Sequence, residues 1–150
     1  MRAVAQRVTE ASVTIEGTIR RAIQTGLVVL LAIEEADGND DIEWLSGKLA
    51  NLRVFDDENG VMNRSVRDVK GDILLISQFT LFASTKKGNR PSFSRSAKPG
   101  TAEPLYEQFL ERLAQVLEKP VPSGQFGAHM SVHLINSGPV TIIIDSKSRE

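Results

Sequence analysis

The sequence contains no cysteine. Disulfides, thiolate nucleophiles and thiolate-ligated zinc or iron–sulfur centres are therefore excluded, and a reducing compartment is permitted. Long apolar stretches are also missing. The longest, Leu27 to Ile33, is far too short to span a bilayer, and Met1 to Arg7 lacks the apolar core and small-residue cleavage site of a secretory signal. The expected location is the cytoplasm. Histidine is scarce as well: His129 and His133 are the only two. On a strand their four-residue separation spans roughly 13 Å, too far for one metal ion without a bend. Neither an H-E-x-x-H pattern nor a P-loop occurs, and glycine-rich dinucleotide fingerprints are absent. No metal or cofactor is expected.

What remains is ordinary for one globular domain over residues 1–150, with 41% hydrophobic and 25% charged residues and a net charge of −1. Arg2 to Val8 alternates polar and apolar residues, Ala11 to Ile15 is β-branched, and Leu27 to Ile33 has the character of a central strand. Asp40, with Glu43 three residues on, reads as a capping box for a helix whose buried face carries Ile42, Leu45, Leu49 and Leu52. A second helix is predicted from about Ala102 to Lys119, capped by Thr101, with a stripe of Leu105, Phe109, Leu113, Val116 and Leu117 and a stop at Pro120 and Pro122. Met130 to Ile135 and Val140 to Asp145 read as two closing strands joined through Asn136-Ser137-Gly138-Pro139. The predicted class is α+β: a mainly antiparallel or mixed sheet with two principal helices.

The stretch on which the chain centres is Ser77-Gln78-Phe79-Thr80-Leu81-Phe82-Ala83, directly after the apolar run Ile73 to Ile76. Such a run suits a strand buried on both faces. Polar groups at its end need partners, since each one left buried and unpaired costs roughly 1–3 kcal/mol. For Ser77 and Thr80 to serve one ligand, the strand must break near Phe79 and free backbone N–H groups. Between Ser84 and Gly100 lie Lys86, Lys87, Arg90, Arg95 and Lys98 without a single acidic residue. That local charge excess suits phosphate, on a segment longer than most structureless connections. From the residues alone the reading stops at an α+β domain with a polar pocket and a basic loop; a small esterase or peptidase using Ser77 or Thr80 and a non-catalytic RNA-binding module both stay open.

Two motifs narrow the choice. Ser77-Gln78-Phe79-Thr80-Leu81-Phe82-Ala83 and Asn136-Ser137-Gly138-Pro139-Val140-Thr141 resemble the signatures of the D-aminoacyl-tRNA deacylases, also called D-tyrosyl-tRNA deacylases. Lys87 to Phe93, the Leu105-Tyr106 helix and the opening Met1 to Val8 resemble that family too; Ser137 stands where many members have aspartate. The resemblance implies a barrel-like homodimer that hydrolyses the ester between a D-amino acid, or glycine, and the terminal adenosine of tRNA. It further implies a cis Gly138-Pro139 bond reaching into the partner's active site, where its carbonyls hold the α-ammonium and its bulk rejects L side chains. Arg7 would brace that loop, and Met130 would join Gly138 and Pro139 in substrate binding. Ser77, Gln78, Phe79 and Thr80 would form the catalytic set. The five loop cations, Lys86, Lys87, Arg90, Arg95 and Lys98, would meet tRNA phosphates.

Overall fold

A computed structural model describes all residues 1–150. Its spine is β1 (Arg2–Ile15), one uninterrupted 14-residue strand where the sequence suggested two pieces. β2 (Ile19–Ile23) and β3 (Gly26–Ala32) pair antiparallel with the far and near halves of β1, and β6 (Asp72–Ser77) lies parallel to β3. β4 (Phe55–Asp56) and β5 (Met62–Arg64) form a separate small ribbon. β7 (Met130–Asp145) runs antiparallel along the whole other side of β1. The two expected closing strands are thus one strand, because β1 is long enough to template both.

The join between them is a bulge, not a hairpin. Gln6 faces Thr141 and Val8 faces Asn136, so Arg7 alone stands opposite Ser137, Gly138, Pro139 and Val140. A second irregularity follows at once, with Thr9 unpaired between Val8 and Glu10, and this extra residue reverses the parity of β1. Ala3 and Ala5 point to one core, whereas Val8, Ala11, Val13 and Ile15 point to the other.

Those two cores explain the apolar run in β6. Ile73 and Leu75 belong to the larger one, under the helices, while Leu74 and Ile76 belong to the smaller one, inside the curl of the sheet. Both faces are buried, and the open edge is covered too: Leu75 donates to the Pro122 carbonyl and accepts from Gly124 N–H.

Helix α1 (Asn39–Asn51) starts earlier than expected. Its N-cap is Gly38, whose N–H donates to the Asp41 carboxylate at 2.9 Å, so the acidic group closing the box is Asp41 and not Glu43. Glu43 instead pairs with Arg112 of α2 (Pro99–Leu117). That helix likewise begins before Thr101, with Lys98 as N-cap and Pro99 in its first turn, where a missing N–H costs nothing. Its buried stripe is Ala102, Tyr106, Phe109, Leu113 and Leu117, so Tyr106 takes the core position expected of Leu105. Glu118, in the left-handed region with φ 57°, ends it ahead of Pro120.

Candidate active site

β6 stops at Ser77, and the chain turns at once into a 3-10 turn, Phe79–Phe82. Gln78 N–H still completes the ladder, donating to the Leu31 carbonyl at 2.7 Å. Beyond it the strand is broken. Leu81 and Ala83 N–H close the turn onto the Gln78 and Thr80 carbonyls. A helical turn leaves its first N–H groups without internal partners. Those are Phe79 and Thr80, and neither donates to a backbone carbonyl elsewhere. Fully buried Phe82 anchors the turn below, flanked by the Arg2 and Arg95 guanidinium groups at 4.7 and 5.4 Å from its ring centre.

Beside the turn lies a pocket of about 300 Å³ lined by Leu31, Ser77, Gln78, Phe79, Tyr106 and Phe126, among others. No histidine, carboxylate or lysine is in the lining. The Tyr106 hydroxyl donates to the Leu75 carbonyl at 3.1 Å, and burial pushes its pKa far above the usual phenol range. It is a fixed neutral strut and not an acid–base group. Gln78 Nε2 donates to Thr80 Oγ1 at 2.5 Å, which orients both side chains at the mouth. The Ser96 hydroxyl donates to the Phe79 carbonyl at 2.7 Å.

Ser77, Gln78 and Phe79 therefore line one pocket, and Thr80, outside its lining, is tied to it through Gln78. None of Gly138, Pro139, Arg7 and Met130 lines this pocket. The Gly138-Pro139 bond is cis, and both residues are exposed in the bulge of β7. Arg7 Nε donates to the Ser137 carbonyl at 3.1 Å. Met130 packs against the smaller core, next to Gly124, whose missing side chain leaves room for the Met130 sulfur. Within a single chain the two signature segments stay apart. Lys86, Lys87, Arg90, Arg95 and Lys98 are all exposed, on a segment pinched by a Ser84–Ser92 bridge.

Sequence reasoning missed Tyr106, Phe126, Ala97 and Pro99 as pocket walls, and Ser96 as a partner of the turn. A hydroxyl-bearing aromatic at helical spacing from Phe109 was the available signal for Tyr106; the others reach the pocket only through tertiary folding.

This geometry coincides with a family assignment. The family model described as D-Tyr-tRNA(Tyr) deacylase matches residues 4–145. The chain belongs to that family. Among curated relatives, D-aminoacyl-tRNA deacylases of Bacteroides fragilis and Dechloromonas aromatica are 59% and 55% identical over 150 residues, covering 100% of both chains in each comparison. A solved structure described as the c-Myc DNA unwinding element binding protein superposes with TM-score 0.89 at 44% identity, covering 97% of this chain and 98% of that one. A second, of a probable eukaryotic D-amino acid tRNA deacylase, shares the fold with TM-score 0.82 at 17% identity over 95% of this chain and 97% of that one. The mixed sheet curled into a half-barrel is thus the fold of this deacylase family. No helix is long and apolar enough to cross a membrane.

Proposed function

We propose that the chain hydrolyses the ester between a D-amino acid, or glycine, and the 3′-terminal adenosine of tRNA, and rejects the L-aminoacyl ester. The observation that carries the reading is the pair of unpartnered N–H groups at Phe79 and Thr80, at the rim of a pocket without an acid or base. Two free backbone donors on adjacent residues suit the oxyanion of a tetrahedral intermediate. Losing a single donor of this kind costs about 2.7–4 kcal/mol in known hydrolases.

The pocket takes the terminal adenosine, with its base among Tyr106, Phe126 and the aliphatic walls. Ser77 and Gln78 orient the ribose. Water adds to the ester carbonyl, and charge gathers on the oxygen facing the two amides. The intermediate then releases the ribose oxygen, which takes a proton, giving free amino acid and free tRNA. The vicinal 2′-hydroxyl of the substrate supplies the proton handling that the lining lacks, so the protein contributes placement and donors. Thr80 stays uncharged and non-covalent.

Chirality is judged by a second copy. Gly138 and Pro139 lie on the outward side of β7, which pairs only with β1 and leaves its other edge open. The same strand also exposes Val132, Ile135 and Ile143, the last to 71%. A long apolar open edge calls for a partner. In the homodimer, Gly138-Pro139 of the second copy enters the mouth of the pocket, its carbonyls taking the α-ammonium and its main chain filling the volume of an L substituent. Selection by exclusion leaves D side chains nearly equivalent and admits glycine. The loop cations hold acceptor-stem phosphates without reading sequence. The setting is the cytoplasm, where tRNA is charged.

Matched D- and L-aminoacyl-tRNA incubated with the purified protein, without added metal, test this. Rapid release of the D-amino acid with the L-ester intact is the expected result. Equal release of both overturns the filter, and no release of either overturns the deacylase.

A further inference from the structure

Phe79 does two things at once: it lines the pocket, and the residue remains 55% exposed. Beside it stands Phe93, 38% exposed, with ring centres 5.1 Å apart and planes at 72°. An edge-on pair of this kind leaves a ring face open. Phe93 takes no part in lining the pocket or in the larger core. Two large aromatics held at the surface are anomalous in a chain with only 5% aromatic residues.

The surroundings supply the chemistry. Arg90 precedes Phe93, Arg95 and Lys98 follow it, and no acidic residue lies between Ser84 and Gly100. The Ser84–Ser92 bridge closes the strip just before the ring, and Ser96 ties its other end to the Phe79 carbonyl. Phe93 is therefore fixed relative to the turn and does not swing on a free loop. An exposed aromatic flanked by cations is how proteins hold unpaired nucleotides: the ring stacks a base and the charges follow the backbone.

Resting on the reading that the pocket takes a terminal adenosine, we propose that Phe93 is the stacking platform for the base of the nucleotide before it. Stacked bases follow one another at about 3.4 Å along a strand. Phe79 lines the pocket and its ring centre lies 5.1 Å from that of Phe93, so the platform adjoins the pocket wall. The subsite holds unpaired RNA at the 3′ end, outside the ester, and it is indifferent to base identity because every base has a π-face.

The test compares ligands that differ by one nucleotide. Equilibrium binding of adenosine 5′-monophosphate, of the dinucleotide cytidylyl-adenosine and of the trinucleotide ending in it is measured on wild type, Phe93→Ala and Phe93→Tyr. The expected result is that the second nucleotide tightens binding roughly tenfold on wild type and on Phe93→Tyr, and not on Phe93→Ala. Adenosine monophosphate should bind all three alike. Equal gain on all three proteins overturns the proposal, as does a Phe93→Ala variant that loses adenosine monophosphate binding, because the ring would then only be bracing Phe79. Hydrolysis of D-aminoacyl-adenosine and D-aminoacyl-tRNA is followed in parallel: Phe93→Ala should raise KM for the RNA alone, with kcat unchanged. If wild type hydrolyses neither ester, the deacylase reading fails, while the binding arm still decides the subsite.

Discussion

Arg7 is tied to Ser137 across the bulge, donating from Nε to its carbonyl at 3.1 Å while Nη1 reaches the Val54 carbonyl at 2.7 Å and the Asp56 carboxylate at 3.2 Å. One guanidinium thus fixes the main chain on the near side of Gly138-Pro139 to the β4 ribbon. A lysine is a point charge and cannot reproduce the fork. Arg7→Lys is expected to narrow the ratio of D- to L-ester turnover roughly tenfold, about 1.4 kcal/mol of lost discrimination. Parallel assays on the two esters check it, with thermal melts confirming that the variant is folded. A ratio equal to wild type would mean that the bulge holds its shape unaided.

Thr80 is a different case. Its hydroxyl accepts from Gln78 Nε2, and no base lines the pocket beside it. Thr80→Ala should keep a substantial fraction of kcat, since the amide at that position survives the substitution. Intact mass measured during turnover should show no acylated protein. An acyl adduct on Thr80, together with loss of turnover in the variant, would establish a covalent mechanism.

On the proposed reading, Lys86, Lys87 and Arg90 hold RNA phosphates through charge alone. Replacing Lys86, Lys87 and Arg90 with alanine should raise KM for the RNA ester and flatten its dependence on salt. Each phosphate contact removed lowers the slope of log affinity against log salt by about 0.7–0.9. Titrations at several salt concentrations measure that slope directly. An unchanged slope would place the RNA elsewhere.

Stability at low pH has its own marker. Burial opposes ionisation of Asp41, but hydrogen bonds from Lys147, Ser146 and the Gly38 N–H outweigh it and lower its pKa from 3.8 to about 2. A carboxyl whose folded pKa is depressed adds stability above its ordinary value, and that stability drains away as pH falls through the folded one. The window is therefore roughly pH 4 down to 2. Urea unfolding at pH 6 and pH 3 should show a loss for wild type that is smaller in Asp41→Asn. Equal losses would remove Asp41 from the acid response.

Much of this architecture was legible beforehand, because periodicity reports burial. The run Ile73 to Ile76 marked a strand covered on both faces, and the polar residues after it marked the break at Phe79. Both helices start two or three residues before the point their side-chain caps indicate. Gly38 and Lys98 cap through backbone geometry, and neither belongs to the side-chain capping types that a sequence displays. The bulge in β7 was read as a connector because Gly-Pro signals a turn locally, whereas only the length of β1 shows that pairing resumes beyond it. Pocket walls such as Phe126 carried no local pattern, since a wall is defined by what folds against it.

The free amides of Phe79 and Thr80 have a consequence for anyone wishing to switch this enzyme off. Main-chain hydrogens are specified by no codon except the absence of proline, so point changes that disarm them are few. On the proposed mechanism, a fluorophosphonate or other electrophilic warhead would find no activated oxygen in the cavity to capture. Competitive inhibitors would then have to imitate the shape of the scissile centre itself.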